Sequence, residues 1–295
     1  EGTSLVEASA VAGVDIPTYC YHPGLTVVGQ CRICFVEIEG LPRLVTACST
    51  PAQSEMVVHT GSERVREARA AVMEFLLENH PLDCPVCDQA GECGLQDYSV
   101  EHGLDSTHMV DERRTNPGRE RHHIGPHIVQ NQNRCIHCTR CIRFTTEISE
   151  TSDLTMKSRG HHSYIDTFDG RPLENPWSAC AADICPVGAL TVKEFRFRAR
   201  VWHLEETKTI CPGCSIGCNV LLGHLLTEVL HEVTLTEQGP GAGADLANGR
   251  PRQWHIGGQR RAAGSAHAGR GLHEKVSQGI GCRQQRINEA LAGKR

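Results

Sequence analysis

A histidine and three cysteines stand close together at His80, Cys84, Cys87 and Cys93, in H-x3-C-x2-C-x5-C spacing. Thiolates and neutral imidazole are soft or borderline ligands, so this grouping suits a transition-metal centre. The chain repeats the theme on both sides. Cys20, Cys31, Cys34 and Cys48 come earlier, with gaps of 10, 2 and 13 residues. Cys135, Cys138 and Cys141 follow in C-x2-C-x2-C spacing, with a distant Cys185-Pro186. Cys211, Cys214 and Cys218 form a last run, C-x2-C-x3-C.

Sixteen cysteines in 295 residues raise the question of disulfides. A secreted disulfide scaffold is shorter and opens on a signal peptide, and this chain has neither feature. An intracellular metal protein is expected instead. No run of about 18 apolar residues is present, so no direct membrane insertion is expected. A net charge of −5 and 4% aromatic residues supply neither the basic footprint nor the stacking platforms of a nucleic-acid binder.

The elements around these residues explain how the ligands would be held. Ser4-Leu-Val-Glu7 has capping-box spacing and Gly13 suits a helix end, which predicts a helix over about 4–12. Gly24 and Gly29 closely precede the Cys31–Cys34 pair, as a loop requires if its backbone is to approach inorganic sulfide closely. This favours an iron-sulfur loop over a zinc ribbon, which usually shows two C-x2-C knuckles. Alternation predicts strands at Cys34–Glu39 and Glu55–Thr60. The helical pattern of Val65, Ala68, Val72, Phe75, Leu76 and Asn79 stops before Pro81, so His80 projects from its end. Residues 101–130 read as a charged, irregular connection.

In bacterial two-cluster ferredoxins each cluster takes three cysteines from one run and its fourth from the Cys-Pro of the other. Here Thr145 stands where the first run's own fourth cysteine would be, and Asn175, Ser178 and Ala181 stand where a second run would lie. One [4Fe-4S] cluster remains in this pattern, held by Cys135, Cys138, Cys141 and Cys185. Cys180 is out of register and reads as a small buried hydrophobe. His137, between ligands, is either a donor to a cluster sulfur or a solvated side chain. No G-x-G-x-x-G or Walker-type loop is present, so no nucleotide site is expected.

Read in order, the chain resembles the family of large iron-sulfur subunits of bacterial NADH-quinone oxidoreductase, the respiratory complex I. The resemblance is carried by the four ligand groups and by Cys141-Ile-Arg-Phe-Thr145, Thr167-Phe-Asp-Gly-Arg-Pro-Leu-Glu-Asn-Pro176, Cys185-Pro-Val-Gly-Ala-Leu190 and Phe195-Arg-Phe-Arg-Ala-Arg-Val-Trp202, and covers about residues 1–225. It implies an α+β fold in several units. These are a ferredoxin-like β-grasp [2Fe-2S] domain over 1–60, lacking N-terminal strands that the family places before its first helix, and a helical, histidine-ligated [4Fe-4S] domain over 61–100. A ferredoxin-like [4Fe-4S] region follows over 101–203, then the start of a molybdopterin-oxidoreductase-like domain over 204–236. Residues 237–295, rich in Gly, Ala, Arg, His and Gln, are expected to be an irregular tail.

The resemblance assigns Cys20, Cys31, Cys34 and Cys48 to a [2Fe-2S] cluster and His80, Cys84, Cys87 and Cys93 to a [4Fe-4S] cluster. An imidazole in place of a thiolate removes a negative charge and is expected to raise that potential. Cys211, Cys214 and Cys218 lack a fourth partner at the family's spacing, where Leu246 stands, and Cys282 is not expected to replace it, so no stable cluster is expected there. The implied partners are the FMN/NADH-binding subunit, the two-cluster [4Fe-4S] subunit and other peripheral-arm subunits. The implied location is the cytoplasmic side of the bacterial inner membrane. Electrons would pass from FMN to the [2Fe-2S] centre, then the Cys135 centre, then the His80 centre, and onward to quinone. The alternative is the N-terminal electron-transfer part of an NAD-linked formate dehydrogenase or iron-only hydrogenase, which would carry a second full cysteine run near 175–185. A multi-zinc structural protein is a third reading.

Overall fold

Ser4 opens the first helix as its N-cap: the Glu7 amide donates to Ser4 Oγ (3.3 Å) and the Glu7 carboxylate accepts from the Ser4 amide (3.3 Å), a reciprocal capping box. The computed structural model describes residues 2–210, 219–225, 253–256 and 259–262. The first helix, α1 (Leu5–Val11), turns Leu5 inward against a small antiparallel sheet. In that sheet β1 (Phe35–Ile38) lies between β2 (Val45–Thr46) and β3 (Val58–His59). Alternation along β1 buries Val36 and Ile38 with Leu5, Ile16 and Ala47, and the same core takes in Cys34 and Cys48. The strand expected over 55–60 shortens to two residues.

The helix α2 (Glu63–Leu77) is capped by Ser62 and buries Val65, Arg69 and Met73 along one stripe. It stops at Leu77, and a turn in which the His80 amide donates to Leu77 O (3.2 Å) carries the chain on to Pro81. Arg69 ties this helix to the sheet by donating to Phe35 O (3.1 Å). A second helix, α3 (Gly94–His102), packs on α2. Tyr19 is fully buried between them and donates to Gly94 O (3.1 Å).

Beyond residue 120 the chain builds a second core. The strands β4 (His122–His123) and β5 (Ile128–Gln130) lie inside the segment read as irregular, and β5 is buried throughout. Its partner explains why local sequence did not reveal it. Ile128 to Gln130 pair antiparallel with β8 (Leu190–Val192), some sixty residues on. Between them α4 (Arg140–Arg143) continues as a π-helical turn, Phe144–Ile148, followed by the hairpin of β6 (Leu154–Lys157) and β7 (Tyr164–Thr167) and then α5 (Cys180–Ile184). Ile124, Ile128, Leu154, Ile165, Leu173 and Leu190 form the core, with Cys141 among them.

Further on, β9 (Leu204–Ile210) pairs antiparallel with β10 (Asn219–Leu225). The segment expected to be an irregular tail contributes β11 (Gln253–Ile256) and β12 (Gln259–Ala262), which extend this sheet in the order β12-β11-β10-β9. Its composition gives no apolar alternation by which to foresee them. The remainder of 237–295 lies outside the described residues.

Candidate iron-sulfur sites

The first cysteine group sits at the edge of the α1 sheet. Cys20, Cys34 and Cys48 are buried and Cys31 is half-buried. Left-handed backbone at Gly29 (φ 60°) and Arg32 (φ 64°) curls the loop around Cys31. The Cys20 amide donates to Cys31 Sγ (3.4 Å), and the Cys31 amide donates to Cys20 Sγ (3.4 Å). A hydrogen bond from the Cys31 thiol pulls Cys20 down to about 5. One from Cys48 likewise pulls Cys34 down to about 7. In each pair the partner thiol is raised, first by that same shared bond and then by burial. All four residues interact electrostatically through Cys48.

The second group follows α2. Cys84 begins a short 3-10 turn ending at Val86, and Cys93 leads into α3. Cys84, Cys87 and Cys93 lie within electrostatic reach of one another, and burial raises the thiols of Cys87 and Cys93. Burial also lowers His80 to about 4, against the opposing pull of Asp83, so the imidazole is neutral and free to act as a ligand at neutral pH. Its Nδ1 is buried without a hydrogen-bond partner. His80 borders a cavity of about 120 Å³ shared with Asn79, Gln132 and Cys135. Its charged neighbours are Asp83, Arg134 and Arg113, so its membership of the thiol group rests on spacing and on that orphan nitrogen.

In the third group Cys138 and Cys141 are buried and Cys135 and Cys185 half-buried. Cys185 is carried by α5 and the Cys-Pro turn into electrostatic reach of Cys135, Cys138 and Cys141. Burial, then the nearness of Cys185, pushes Cys138 up to about 11, and burial raises the other three as well. Left-handed backbone at His137 (φ 53°) and Thr139 (φ 61°) folds the loop so that the His137 amide donates to Cys135 Sγ (3.4 Å). The His137 ring instead meets Ser163 O at 3.0 Å, so its main chain and not its imidazole serves the sulfur. Cys180 is half-buried in the first turn of α5, more exposed than the buried position expected for it. The places where a second ferredoxin cluster would lie are filled by other contacts. Thr145 is fully buried and donates to Ile142 O (2.9 Å), Asn175 donates to Asp153 (2.5 Å), and Ser178 and Ala181 are buried.

Among the described residues no three His, Cys, Asp or Glu side chains converge tightly enough for a single metal ion. The fit to multi-iron cores rests on the donor chemistry, on amides already aimed at sulfur and on the orphan His80 nitrogen. Buried thiols are unfavourable as thiolates unless positive charge accompanies them, and ferric or ferrous iron supplies it. Cys211, Cys214, Cys218 and Cys282 lie outside the described residues.

Arginines are what the spacing argument overlooked. Arg134, buried beside Cys135, forks onto Asp83 with Nε–Oδ1 3.2 Å and Nη2–Oδ2 2.6 Å, joining the second group to the third. Arg200 donates to the carbonyls of Cys87 and Pro85. Arg140 and Arg143 reach back to the first group. The available signal was position: Arg134 and Arg140 each immediately precede a cysteine of the third run.

Grouped buried thiols on ferredoxin-like loops define an iron-sulfur protein. Three family descriptions match in chain order: a 2Fe-2S iron-sulfur cluster binding domain over 1–63, the NADH-ubiquinone oxidoreductase-G iron-sulfur binding region over 69–108, and the NADH-quinone oxidoreductase subunit 3 ferredoxin-like domain over 125–191. The chain belongs to the family of large iron-sulfur subunits of respiratory NADH-quinone oxidoreductases. It is 46% identical over 221 residues to the mitochondrial NADH-ubiquinone oxidoreductase 78 kDa subunit of Candida albicans, covering 74% of this chain and 30% of that one. It is 41% identical over 230 residues to the NADH-ubiquinone oxidoreductase 75 kDa subunit of Reclinomonas americana, covering 78% and 33%. The chain thus spans about a third of these relatives' length. A solved NAD+-reducing [NiFe]-hydrogenase in the H2-reduced state is also similar, at 31% identity and TM-score 0.59, covering 68% of this chain and 85% of that one.

Proposed function

We propose that this chain is an electron-conducting segment of an NADH-quinone oxidoreductase, holding one [2Fe-2S] and two [4Fe-4S] clusters. The single observation that carries the reading is that Cys185, distant in sequence, packs with Cys135 against the buried core that holds Cys141. When bound, each cluster accepts and releases a single electron at a potential set by its surroundings. Cys20, Cys31, Cys34 and Cys48 would hold the first, and His80, Cys84, Cys87 and Cys93 the second. Cys135, Cys138, Cys141 and Cys185 would hold the third.

The chain's own contribution is spacing and exclusion of water. Cys93 and Cys185 belong to different sets yet lie within electrostatic reach, and Cys93 Sγ stands 3.9 Å from Pro186 O. Arg134 and Asp83 lock that junction. The route runs from the first group through the third to the second, and the incoming electron comes from an FMN- and NADH-binding subunit. The two-cluster [4Fe-4S] subunit and other peripheral-arm subunits are the onward partners, with quinone as final acceptor. Among the described residues no helix is long and apolar enough to cross a membrane; the placement read from the family likeness is peripheral, on the cytoplasmic side of the bacterial inner membrane. The pair β9 and β10 is read as the start of the molybdopterin-oxidoreductase-like region over 204–236. The hydrogenase likeness supports a second reading as the electron-transfer part of an NAD-linked hydrogenase. The filling of the second ferredoxin position by Thr145, Ser178 and Ala181 favours the first.

The test is anaerobic mixing of the iron-loaded chain with NADH, followed by EPR. No reduction is expected from the chain alone, and reduction is expected once the flavin-bearing subunit is added. Reduction of the isolated chain by NADH would overturn the reading.

A further inference from the structure

Two arginines on α4 lie between the first and third cysteine groups. Arg143 is buried and gives its guanidinium to main-chain carbonyls: Nη1 to Thr26 O (2.6 Å), Nη2 to Cys20 O (2.5 Å) and to Cys138 O (3.3 Å). Arg140, three residues earlier and so on the same helix face, donates from Nη2 to Tyr21 O (2.5 Å). Its Nε is buried without a partner. Arg140 faces Cys138 and Cys185 of the third group and Cys31 of the first. Arg143 faces Cys20 and Cys138.

Among the described residues neither arginine has a carboxylate within ion-pair distance. Glu147, on the following turn, instead accepts from the Thr26 amide (2.8 Å) and Thr26 Oγ1 (2.5 Å). A buried guanidinium and a half-buried one, both without counter-ions, are unfavourable unless negative charge stands nearby. Thiolate-ligated iron-sulfur cores supply such charge, and each electron taken up adds one more unit.

We propose that Arg140 and Arg143 form a cationic bridge that raises the reduction potentials of the first and third centres together. Arg143 also fixes the separation of the two loops. The inference rests on the cluster assignment above. Both are positioning residues: they act on the centres through charge and through the carbonyls they hold. A shared cation stabilises whichever neighbour carries the extra electron, so it brings the two potentials up in step and leaves the difference between them unchanged.

The experiment is a potentiometric titration followed by EPR on the full chain, loaded anaerobically, comparing Arg140→Gln with Arg140→Lys. The Gln variant is expected to lower both potentials, each by about tenfold in the reduction equilibrium, or ~59 mV for one electron. The Lys variant is expected to retain both, and the centre of the His80 group is expected to shift less. Loss of iron in the Gln variant with retention in the Lys variant supports the same charge role. A shift at one centre alone, no shift, equal shifts in both variants, or iron loss in both overturns the proposal. An unaltered chain that takes up no iron and sulfide overturns the cluster assignment itself, a result distinct from loaded centres that ignore Arg140.

Discussion

Gly188, in the turn that follows Cys185-Pro186, is the position where one added methyl group tests the second site most sharply. A Cβ built there would stand 2.3 Å from Cys87 Sγ, 3.1 Å from Gln89 Cβ and 3.7 Å from Arg134 Cδ. Ordinary contacts between such atoms are about 3.5–4.0 Å, so the sulfur must retreat by more than an ångström. Rotation about its Cα–Cβ bond is the way out open to the sulfur, and it is expected to carry Cys87 away from its place beside Cys84 and Cys93. Overpacking of this kind costs about 1–3 kcal/mol. The larger consequence is chemical, since a cluster that loses one of its ligands is released. Gly188→Ala is therefore expected to lose about four iron and four sulfide, the content of one [4Fe-4S] core, while the [2Fe-2S] signal persists. Gly61→Ala, where nothing lies within 4 Å of the new Cβ, is the control and is expected to retain full iron. Iron and sulfide analysis with EPR reads the result. A Gly188→Ala chain with full iron and an unchanged spectrum would refute the reasoning.

Replacing either Cys141 or Cys185 by Ala is expected to abolish one and the same EPR signal, and loss of two different signals would separate the distant Cys-Pro from its run. The Asp166 carboxylate provides a pH-dependent contribution to stability. Burial alone would raise it, but the Thr167 amide (2.9 Å), Arg119 (3.2 Å) and Lys157 (3.7 Å) outweigh that and hold it below its usual value. Its folded value is thus lower than its unfolded one. Its stabilisation is present above the unfolded value of about 4 and is lost as pH falls through the folded one. Acid-unfolding curves of the parent chain and Asp166→Asn should therefore differ most near neutral pH and converge at low pH. Curves that stay parallel throughout would contradict this.

What the sequence disclosed was local. Ser4 with Glu7 marks a helix start because a capping box needs only residues three apart, and Val36 with Ile38 marks a strand because its burial alternates. The cysteine groups were legible as candidate sites for the same reason, as short cysteine spacings constrain a loop whatever surrounds it. Cys185 was recoverable only through the known two-run pattern. Where long-range pairing decides, local reading fails: β5 looks irregular until Leu190–Val192 lies beside it. The π-helical turn at 144–148 leaves no mark in residue type. The arginines had only their places beside cysteines to mark them, because Arg134, Arg140 and Arg143 gain their roles from Asp83, Tyr21, Thr26 and Cys20, all distant in sequence.

The central claim is that three groups of four side chains hold one [2Fe-2S] and two [4Fe-4S] clusters. Anaerobic reconstitution followed by iron, zinc and acid-labile sulfide analysis and EPR of the reduced chain tests it directly. About ten iron and ten sulfide per chain with three distinguishable signals are expected; about four iron or fewer, or a colourless zinc protein without sulfide, would contradict it.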